Sequence, residues 1–355
     1  MKVIIETMKL QALVAKAVKG AGFNKLLPIT GMIGITIEDG MHLYTTDGSN
    51  YLCVYDNSIE GDSFDVTVDA EMFYNLVAKL TSNEVTLEVV DDVLIISGNG
   101  KYKLALQLND SGEKLVFPKN LVDESDDVIE ILGALSLNTI NVMLSSIKPS
   151  LSTTAGTIYN NYYVGDCIIG TDRDMLCKYD GEKFDPMVFT RSFVDLLGIA
   201  TSDVTLSKSG NCLTAVSDNL IIKSKITNDA SYFNIEGINK MLDLKLDSYC
   251  RVNKKELLSL LDRLSIFVSA YDDGAVFIHF TKDSLEVSSL SSSGVESIDY
   301  TEFKNFKDTT IKIDINRLIT QLKAYQSDFV DLYYGNDLCV KLVDGDLLAI
   351  IALMR

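Results

Sequence analysis

One sequence pattern occurs three times along this chain of 355 residues. The tripeptide Val85-Thr86-Leu87 returns as Val204-Thr205-Leu206 and, with one change, as Val330-Asp331-Leu332, so the three leucines are 119 and then 126 residues apart. Four and twelve residues after each leucine come Asp, Asn or Gly residues that favour tight turns. Short runs of Val, Ile, Leu and Thr between such turns predict three antiparallel strands joined by hairpins. The chain must therefore fold as three related units.

Apolar residues at helical spacing precede each group of hairpins, and each third of the chain begins with a strand and a second segment of this kind. Taken generously, the six helical segments are residues 8–25, 69–80, 136–152, 190–200, 253–268 and 314–325. The predicted fold class is α+β, with two helices packed on antiparallel sheets in each repeat. The predicted domains are residues 1–120, 121–243 and 244–355, with linkers near residues 111–127 and 228–247.

Charge is distributed unevenly over this pattern. The chain has 32 Lys and Arg against 50 Asp and Glu, a net charge of −18, which argues against non-specific binding of nucleic acid by its average surface. The six helical segments nevertheless contain twelve basic and six acidic residues. If these helices share one side, that side is a cationic surface for a polyanion backbone. Clusters of base-reading side chains and aromatic platforms are absent from the helices, so we expect sequence-independent contact with duplex DNA.

The sequence offers little material for catalysis. It has only two histidines, His42 and His279, and its six cysteines form no Cys-x-x-Cys pair. Paired carboxylates such as Asp91-Asp92 lie at predicted turns, and no glycine-rich phosphate loop follows a strand. We therefore predict no catalytic residue, metal or cofactor, and buried free cysteines. No apolar stretch suits a signal peptide or a membrane span, so a cytoplasmic protein is expected.

The sequence resembles the bacterial DNA polymerase III β subunit, the replicative sliding clamp, over residues 1–355. The resemblance rests on the three repeats of about 120 residues together with three segments in the same order. These segments are Leu43-Tyr44-Thr45-Thr46-Asp47, Gly170-Thr171-Asp172-Arg173-Asp174-Met175-Leu176 and Ile350-Ile351-Ala352-Leu353-Met354-Arg355.

The resemblance implies a processivity factor for DNA replication: a head-to-tail homodimeric ring with helices lining a hole for duplex DNA. Enclosure prevents escape from the DNA, while weak phosphate contacts permit sliding. The basic residues expected to face the pore are Lys16, Lys19, Lys79, Lys148, Arg191, Lys254, Arg263, Arg317 and Lys323. The residues expected at the dimer interface are Tyr102, Leu104, Ile266 and Phe267.

The family also has an apolar pocket that captures short linear peptides of polymerases, the clamp loader and repair proteins. The residues expected to form it here are Thr171, Arg173, Asp174, Met175, Leu176, Phe233, Ile238, Ile350, Leu353, Met354 and Arg355. This chain departs from the family pattern at two places. Arg173, Asp174 and Met175 follow Thr-Asp where the family usually has Gly, an aromatic residue or His, and Arg, and the C-terminal tail lacks the family's proline. These departures affect peptide preference more than fold.

Two functions of different classes remain open. The first is a DNA-encircling clamp, and the alternative is a clamp-fold protein that binds or sequesters partner peptides without loading onto DNA. An enzymatic function is much less favoured by the sequence than either of these. The basic residues of the helices discriminate between the first two, because only a clamp needs Lys16, Lys79, Lys148, Lys254 and Lys323 to face one pore.

Overall fold

The chain forms two compact units. The structure, a computed structural model, describes residues 1–109, 111–119, 129–226, 229–268, 274–291 and 293–355. Unit 1 comprises Met1–Leu137 and Ser192–Thr227, and unit 2 comprises Asn138–Arg191 and Asn228–Arg355. The middle third of the chain thus contributes to both units, and the division into three domains stays a prediction. Residues 120–127 and 228 of the predicted linkers lie outside the described residues.

Unit 1 contains two antiparallel sheets. In spatial order the first sheet consists of β1 (Lys2–Glu6), β6 (Glu84–Val90), β7 (Val93–Ser97) and β8 (Lys101–Ala105). The second consists of β5 (Phe64–Asp69), β2 (Met32–Glu38), β3 (Gly40–Thr46), β4 (Asn50–Asp56), β16 (Leu220–Lys225), β15 (Cys212–Ser217), β14 (Val204–Ser209) and β9 (Glu130–Leu135). Its helices are α1 (Thr7–Ala17), α2 (Ala70–Val77) and, apart from its first residue, α4 (Arg191–Leu197). The β4–β16 pair makes one sheet from the first and middle thirds.

Unit 2 has the corresponding construction. Its first sheet consists of β13 (Met187–Phe189), β10 (Tyr162–Val164), β11 (Ile168–Thr171), β12 (Met175–Tyr179), β25 (Leu347–Ala352), β24 (Cys339–Asp344), β23 (Phe329–Tyr334), β17 (Ser248–Asn253) and β21 (Glu302–Lys304). Its second consists of β20 (Val295–Asp299), β19 (Ser284–Ser289), β18 (Ala275–Phe280) and β22 (Thr309–Asp314). Its helices are α5 (Ile235–Leu242), α6 (Lys254–Leu264), α7 (Ile315–Ala324) and, apart from its first residue, α3 (Leu137–Val142). The β12–β25 pair joins the middle and last thirds.

The three predicted groups of hairpins are confirmed. They are β6–β7–β8, β14–β15–β16 and β23–β24–β25, each a run of three antiparallel strands. Asp91, Gly210 and Gly345 adopt positive φ angles of 50°, 53° and 59° in the connecting turns. Short hairpin loops need this left-handed conformation, which Gly and Asp tolerate better than most residues. The repeated turn residues therefore set the strand register.

All six predicted helical segments contain helices. Three of these six helices begin with a side chain that caps free backbone amides: Asp69 accepts from the amide of Met72, Asn253 from that of Glu256, and Asp314 from those of Asn316 and Arg317. Such caps satisfy amides that have no partner within the helix. A π-helical turn (Met143–Ile147) and a 3₁₀ turn (Lys148–Ser150) extend α3. No helix in the described ranges is long and apolar enough to span a membrane.

Helices and the segment after β8 both pack on the sheets of unit 1. The side-chain Nε2 of Gln11 in α1 donates to the carbonyl oxygens of Val77 (3.0 Å), the last residue of α2, and of Leu80 (2.9 Å) just after it, which joins the two helices. Phe117 is buried against Gly34 of β2, where a Cβ atom would come within 2.4 Å of the Cβ atom of Phe117. Glycine at position 34 therefore permits the close approach of Phe117.

The six cysteines are free thiols, and five of them are buried, which confirms the expectation of small apolar side chains. Burial raises the pKa of the Cys53 and Cys177 thiols to about 12. Both thiols therefore stay protonated near neutral pH.

Candidate peptide pocket and basic helices

A cavity of about 260 Å³ opens in unit 2 between the β11–β12 turn, helix α5 and the end of β25. Its lining residues are Tyr159, Thr171, Arg173, Asp174, Met175, Leu176, Asn234, Gly237, Ile238, Met241, Ile350 and Ala352. Seven of the eleven pocket residues expected from the resemblance are in this set. The lining combines aliphatic and methionine side chains with a polar rim, as in sites that anchor apolar groups of a ligand.

The other four expected residues lie elsewhere. Phe233 is buried in the cluster of apolar side chains that also contains Ile238 and Ile350, so it supports the cavity without lining it. The C-terminal tail is hydrogen-bonded to other segments: the backbone amide of Leu353 donates to the carbonyl oxygen of Leu338, and that of Met354 donates to the carbonyl oxygen of Lys312. Leu353, Met354 and Arg355 are accordingly absent from the described lining.

The β11–β12 turn is held by several side-chain hydrogen bonds. The Asp172 carboxylate accepts from the amides of Asp174 (3.0 Å) and Met175 (2.7 Å), and the Thr171 hydroxyl accepts from the amide of Arg173 (3.1 Å). Arg173 has a φ of 86°, a left-handed conformation that favours glycine. Its guanidinium lies over the ring of Tyr159, 5.0 Å from the centroid, in a cation–π contact. Arginine thus occupies a glycine-type backbone position and forms part of the pocket rim.

Arg317, which was expected to face the pore, extends from the first turn of α7 to this same β-turn. Its Nη1 lies 2.5 Å from the Asp172 carboxylate and its Nη2 lies 3.3 Å from that of Asp174. A second cavity of about 390 Å³ lies at this ion pair, and Met175 borders both cavities. The structure therefore places the Arg317 guanidinium among carboxylates beside the candidate pocket.

Five lining residues were not anticipated: Tyr159, Asn234, Gly237, Met241 and Ala352. Three of them come from α5 or its cap, in a segment interpreted from sequence as a linker. The Asn234 side chain accepts a hydrogen bond from the amide of Gly237 and so begins α5. A capping residue followed by apolar residues at positions 235, 238 and 242 was the sequence signal for this helix.

The three basic residues expected to face the pore from unit 1 are not engaged in ion pairs with described residues. Lys16 lies in α1, Lys19 in the 3₁₀ turn that follows α1, and Lys79 just after α2. Lys19 and Lys79 are exposed and Lys16 is partly exposed. Lys9 of α1 is different, since it pairs with Asp56 at 3.1 Å. Unit 1 thus presents, on or just after its helices, three ammonium groups that no ion pair joins to a described residue.

Several basic residues on the helices of unit 2 are already paired or hydrogen-bonded within the unit. Arg263 pairs with Glu296 at 2.5 Å, and Lys323 lies 3.8 Å from Asp262. Lys254 donates to the carbonyl oxygen of the residue after α7 at 2.7 Å. The remaining expected pore residues are Lys148, which begins a 3₁₀ turn, and Arg191, which begins α4.

Of the four residues expected at the dimer interface, two lie on an edge strand and two lie after a helix. Tyr102 is exposed and Leu104 is buried on β8, the edge strand of the first sheet of unit 1. Ile266 and Phe267 are both exposed in the 3₁₀ turn after α6. No group of three or more potential metal ligands occurs in the described part of the chain.

Neither a protein-family model nor a curated protein matches this sequence. Solved structures do. A DNA polymerase sliding clamp from Bacillus subtilis is 19% identical with a TM-score of 0.84, over 100% of this chain and 99% of that one. The β chain of DNA polymerase III from Streptococcus pneumoniae TIGR4 is 15% identical with a TM-score of 0.85 at the same coverage, and a putative β subunit from Eubacterium rectale ATCC 33656 is 20% identical with a TM-score of 0.81. The chain therefore has the fold of the DNA polymerase III β-subunit sliding clamps, as a divergent example of it.

Proposed function

We propose that this chain is a sliding clamp that closes around duplex DNA as a head-to-tail homodimer and tethers a replicative polymerase. The observation that carries the proposal is the agreement in fold over the full length of β-subunit clamps at TM-scores of 0.81 to 0.85. The proposed role is mechanical: the protein supplies enclosure and attachment, and the polymerase supplies the chemistry.

Two free sheet edges support ring closure. Strand β8 ends one sheet of unit 1, and strand β20 ends one sheet of unit 2. Lys101 and Lys103 give β8 a positive charge, whereas β20 contains the acidic residues Asp299 and Glu296, of which Glu296 is paired with Arg263. Edge strands of opposite charge can pair across two chains through backbone hydrogen bonds. In this arrangement the exposed Tyr102 of one protomer is close to the α6 end of its partner.

The unpaired lysines of unit 1 support contact with DNA. Lys16, Lys19 and Lys79 can each approach a phosphate without breaking an ion pair. Contacts of this kind are screened by salt and carry no sequence information, which suits a ring that must slide. Enclosure, rather than affinity, keeps such a protein on DNA.

The cavity of unit 2 supports capture of polymerase, clamp-loader and repair-protein peptides. Its aliphatic and methionine side chains can enclose one or two large apolar side chains of an extended peptide. Methionines such as Met175 and Met241 adapt to ligands of different shape, which suits a site shared by several partners.

The alternative remains a clamp-fold protein that sequesters peptides without loading onto DNA. The observation in its favour is the pairing of Arg263, Arg317 and Lys323 with carboxylates, which lowers the charge available to DNA.

One experiment separates these functions. We would measure solution mass by light scattering over a dilution series, and then ligate linear DNA into circles in the presence of the protein. A clamp is expected to have a mass of twice 39.2 kDa, to remain on the circles at high salt, and to leave when the circles are cut.

Lys103→Glu, which places like charges on β8 and β20, should weaken the dimer, whereas Lys114→Glu is the matched control. A monomer at all concentrations that is never retained on circles would refute the clamp and favour peptide sequestration.

A further inference from the structure

Lys341 is a buried lysine next to the candidate pocket. It lies on β24, directly opposite Ile350 of β25, and cross-strand partners share one face of a sheet. Only 8% of the residue is exposed. Its Nζ donates to the carbonyl oxygens of Leu242 (2.6 Å) and Leu244 (2.5 Å), and no ion pair joins it to a described carboxylate. The Lys341 ammonium therefore interacts chiefly with the C-terminal end of α5.

Helix α5 depends on contacts of this kind. It has eight residues, and an isolated helix of that length is not stable in water. Ile238 is its one buried residue. The Asn234 side chain holds its N-terminal end, and Lys341 supplies the hydrogen-bond donors at the other. A cation at the C-terminal end of a helix also interacts favourably with the helix dipole.

The same helix forms one wall of the cavity, through Gly237, Ile238 and Met241. We propose that Lys341 is a positioning residue for the peptide pocket: its ammonium group fixes the end of α5 and thereby holds Ile238 and Met241 in place for the ligand. As a statement about peptide capture, this inference rests on the function proposed above. Lys341 itself does not line the cavity, so it acts through α5.

Helix α5 needs the hydrogen-bond donors of the Lys341 side chain rather than its volume. A charged group is costly to bury unless it is hydrogen-bonded, and here two carbonyl oxygens satisfy the ammonium. Methionine at position 341 would fill similar space but would leave the carbonyl oxygens of Leu242 and Leu244 without this partner. Lys341→Met therefore removes the anchor with little change in packing, and Lys341→Arg retains a cationic donor.

The test measures binding of fluorescein-labelled decapeptides that have Leu, Phe or adjacent Leu-Phe in the centre of a Ser/Gln background. Lys341→Met should weaken binding by about tenfold, the equivalent of one charge-assisted hydrogen bond, and Lys341→Arg should restore most of it. Lys240→Met is the control, because the Lys240 side chain on the same helix is 74% exposed and pairs only with Glu236. It should leave binding unchanged.

Hydrogen exchange separates a positioning role from a general loss of stability. In Lys341→Met, amides of α5 should exchange faster while those of α7 keep their wild-type rates. Unchanged exchange in α5, or equal acceleration in α5 and α7, would overturn the inference, as would peptide binding equal to that of wild type. If the wild-type protein binds none of the peptides, peptide capture fails as a proposed function, and the exchange rates alone then decide whether Lys341 positions α5.

Discussion

Replacing Arg317 by alanine tests two roles for this side chain against each other. Its sequence position suggested a contact with DNA, whereas the structure pairs it with Asp172 and Asp174 beside the pocket. Loss of a DNA contact should reduce the salt dependence of DNA binding, and loss of the ion pair should reduce stability and peptide binding. We expect the second result.

The burial of the Arg317–Asp172 ion pair determines how much stability its loss should cost. The exposed fractions are 26% for the Arg317 side chain and 20% for that of Asp172. Exposed ion pairs contribute up to about 1 kcal/mol, whereas breaking a buried pair costs about 3–5 kcal/mol. Arg317→Ala should therefore lower the free energy of unfolding by about 2 kcal/mol. For a unit of this size, that corresponds to a fall of about 4–8 °C in Tm by calorimetry.

A double-mutant cycle identifies the partner. Asp172→Asn removes the charge but keeps the side-chain oxygen that accepts from the amides of Asp174 and Met175. The coupling free energy between Arg317→Ala and Asp172→Asn should be about 1–2 kcal/mol. Additive effects of the two substitutions, together with a drop of about 0.9 in the salt-dependence slope for Arg317→Ala, would refute the assignment to the pocket.

Three further predictions concern other parts of the chain. Gly34→Ala should lower the free energy of unfolding by about 1–3 kcal/mol, because its Cβ atom meets Phe117 at 2.4 Å; a Tm equal to that of wild type would contradict this packing. The Arg173→Ala variant should be less stable than the Arg173→Gly variant by about 1 kcal/mol in urea denaturation, since both lose the cation–π contact but only alanine keeps the left-handed strain. The thiols of Cys53 and Cys177 have pKa values raised from 9.0 to about 12, so unfolding releases protons above pH 9; stability should be intact below pH 9 and fall between pH 9 and 12, and substitution of both by alanine should flatten that decline.

Local sequence signals were sufficient to predict most of the strands and helices. The repeated turn residues and the alternation in segments such as Lys2–Glu6 depend on neighbours within a few positions, and the structure follows them. The resemblance then indicated seven residues of the cavity lining, five of which lie in the continuous segment around the β11–β12 turn. Helix α5 was missed because it has only eight residues and lies in a segment interpreted as a linker, although its capping residue and the apolar residues at positions 235, 238 and 242 indicated a helix.

The pairing of charges could not be predicted in the same way. A count of basic residues on helices gives the largest positive charge that the helices can present, but not the charge that remains after folding. Arg263 meets Glu296 from 33 positions away, and Arg317 meets Asp172 from 145 positions away. Which charges meet across such separations in sequence is decided by the tertiary fold. The sequence alone therefore assigned all nine basic residues to one role.

The departures from the family pattern at residues 173–175 can be explained together by this pairing. A left-handed conformation at a non-glycine residue persists only where its surroundings over-determine it. Here Thr171 and Asp172 bind the turn amides, and Arg317 holds the Asp172 carboxylate from α7. A glycine at position 173 would adopt the left-handed conformation of this turn without strain. With arginine there, the hydrogen bonds and the ion pair of neighbouring side chains hold the turn instead. Because Arg173 then projects over Tyr159 at the cavity rim while Met175 still lines the cavity, we expect the altered turn to change which peptides the proposed site would favour.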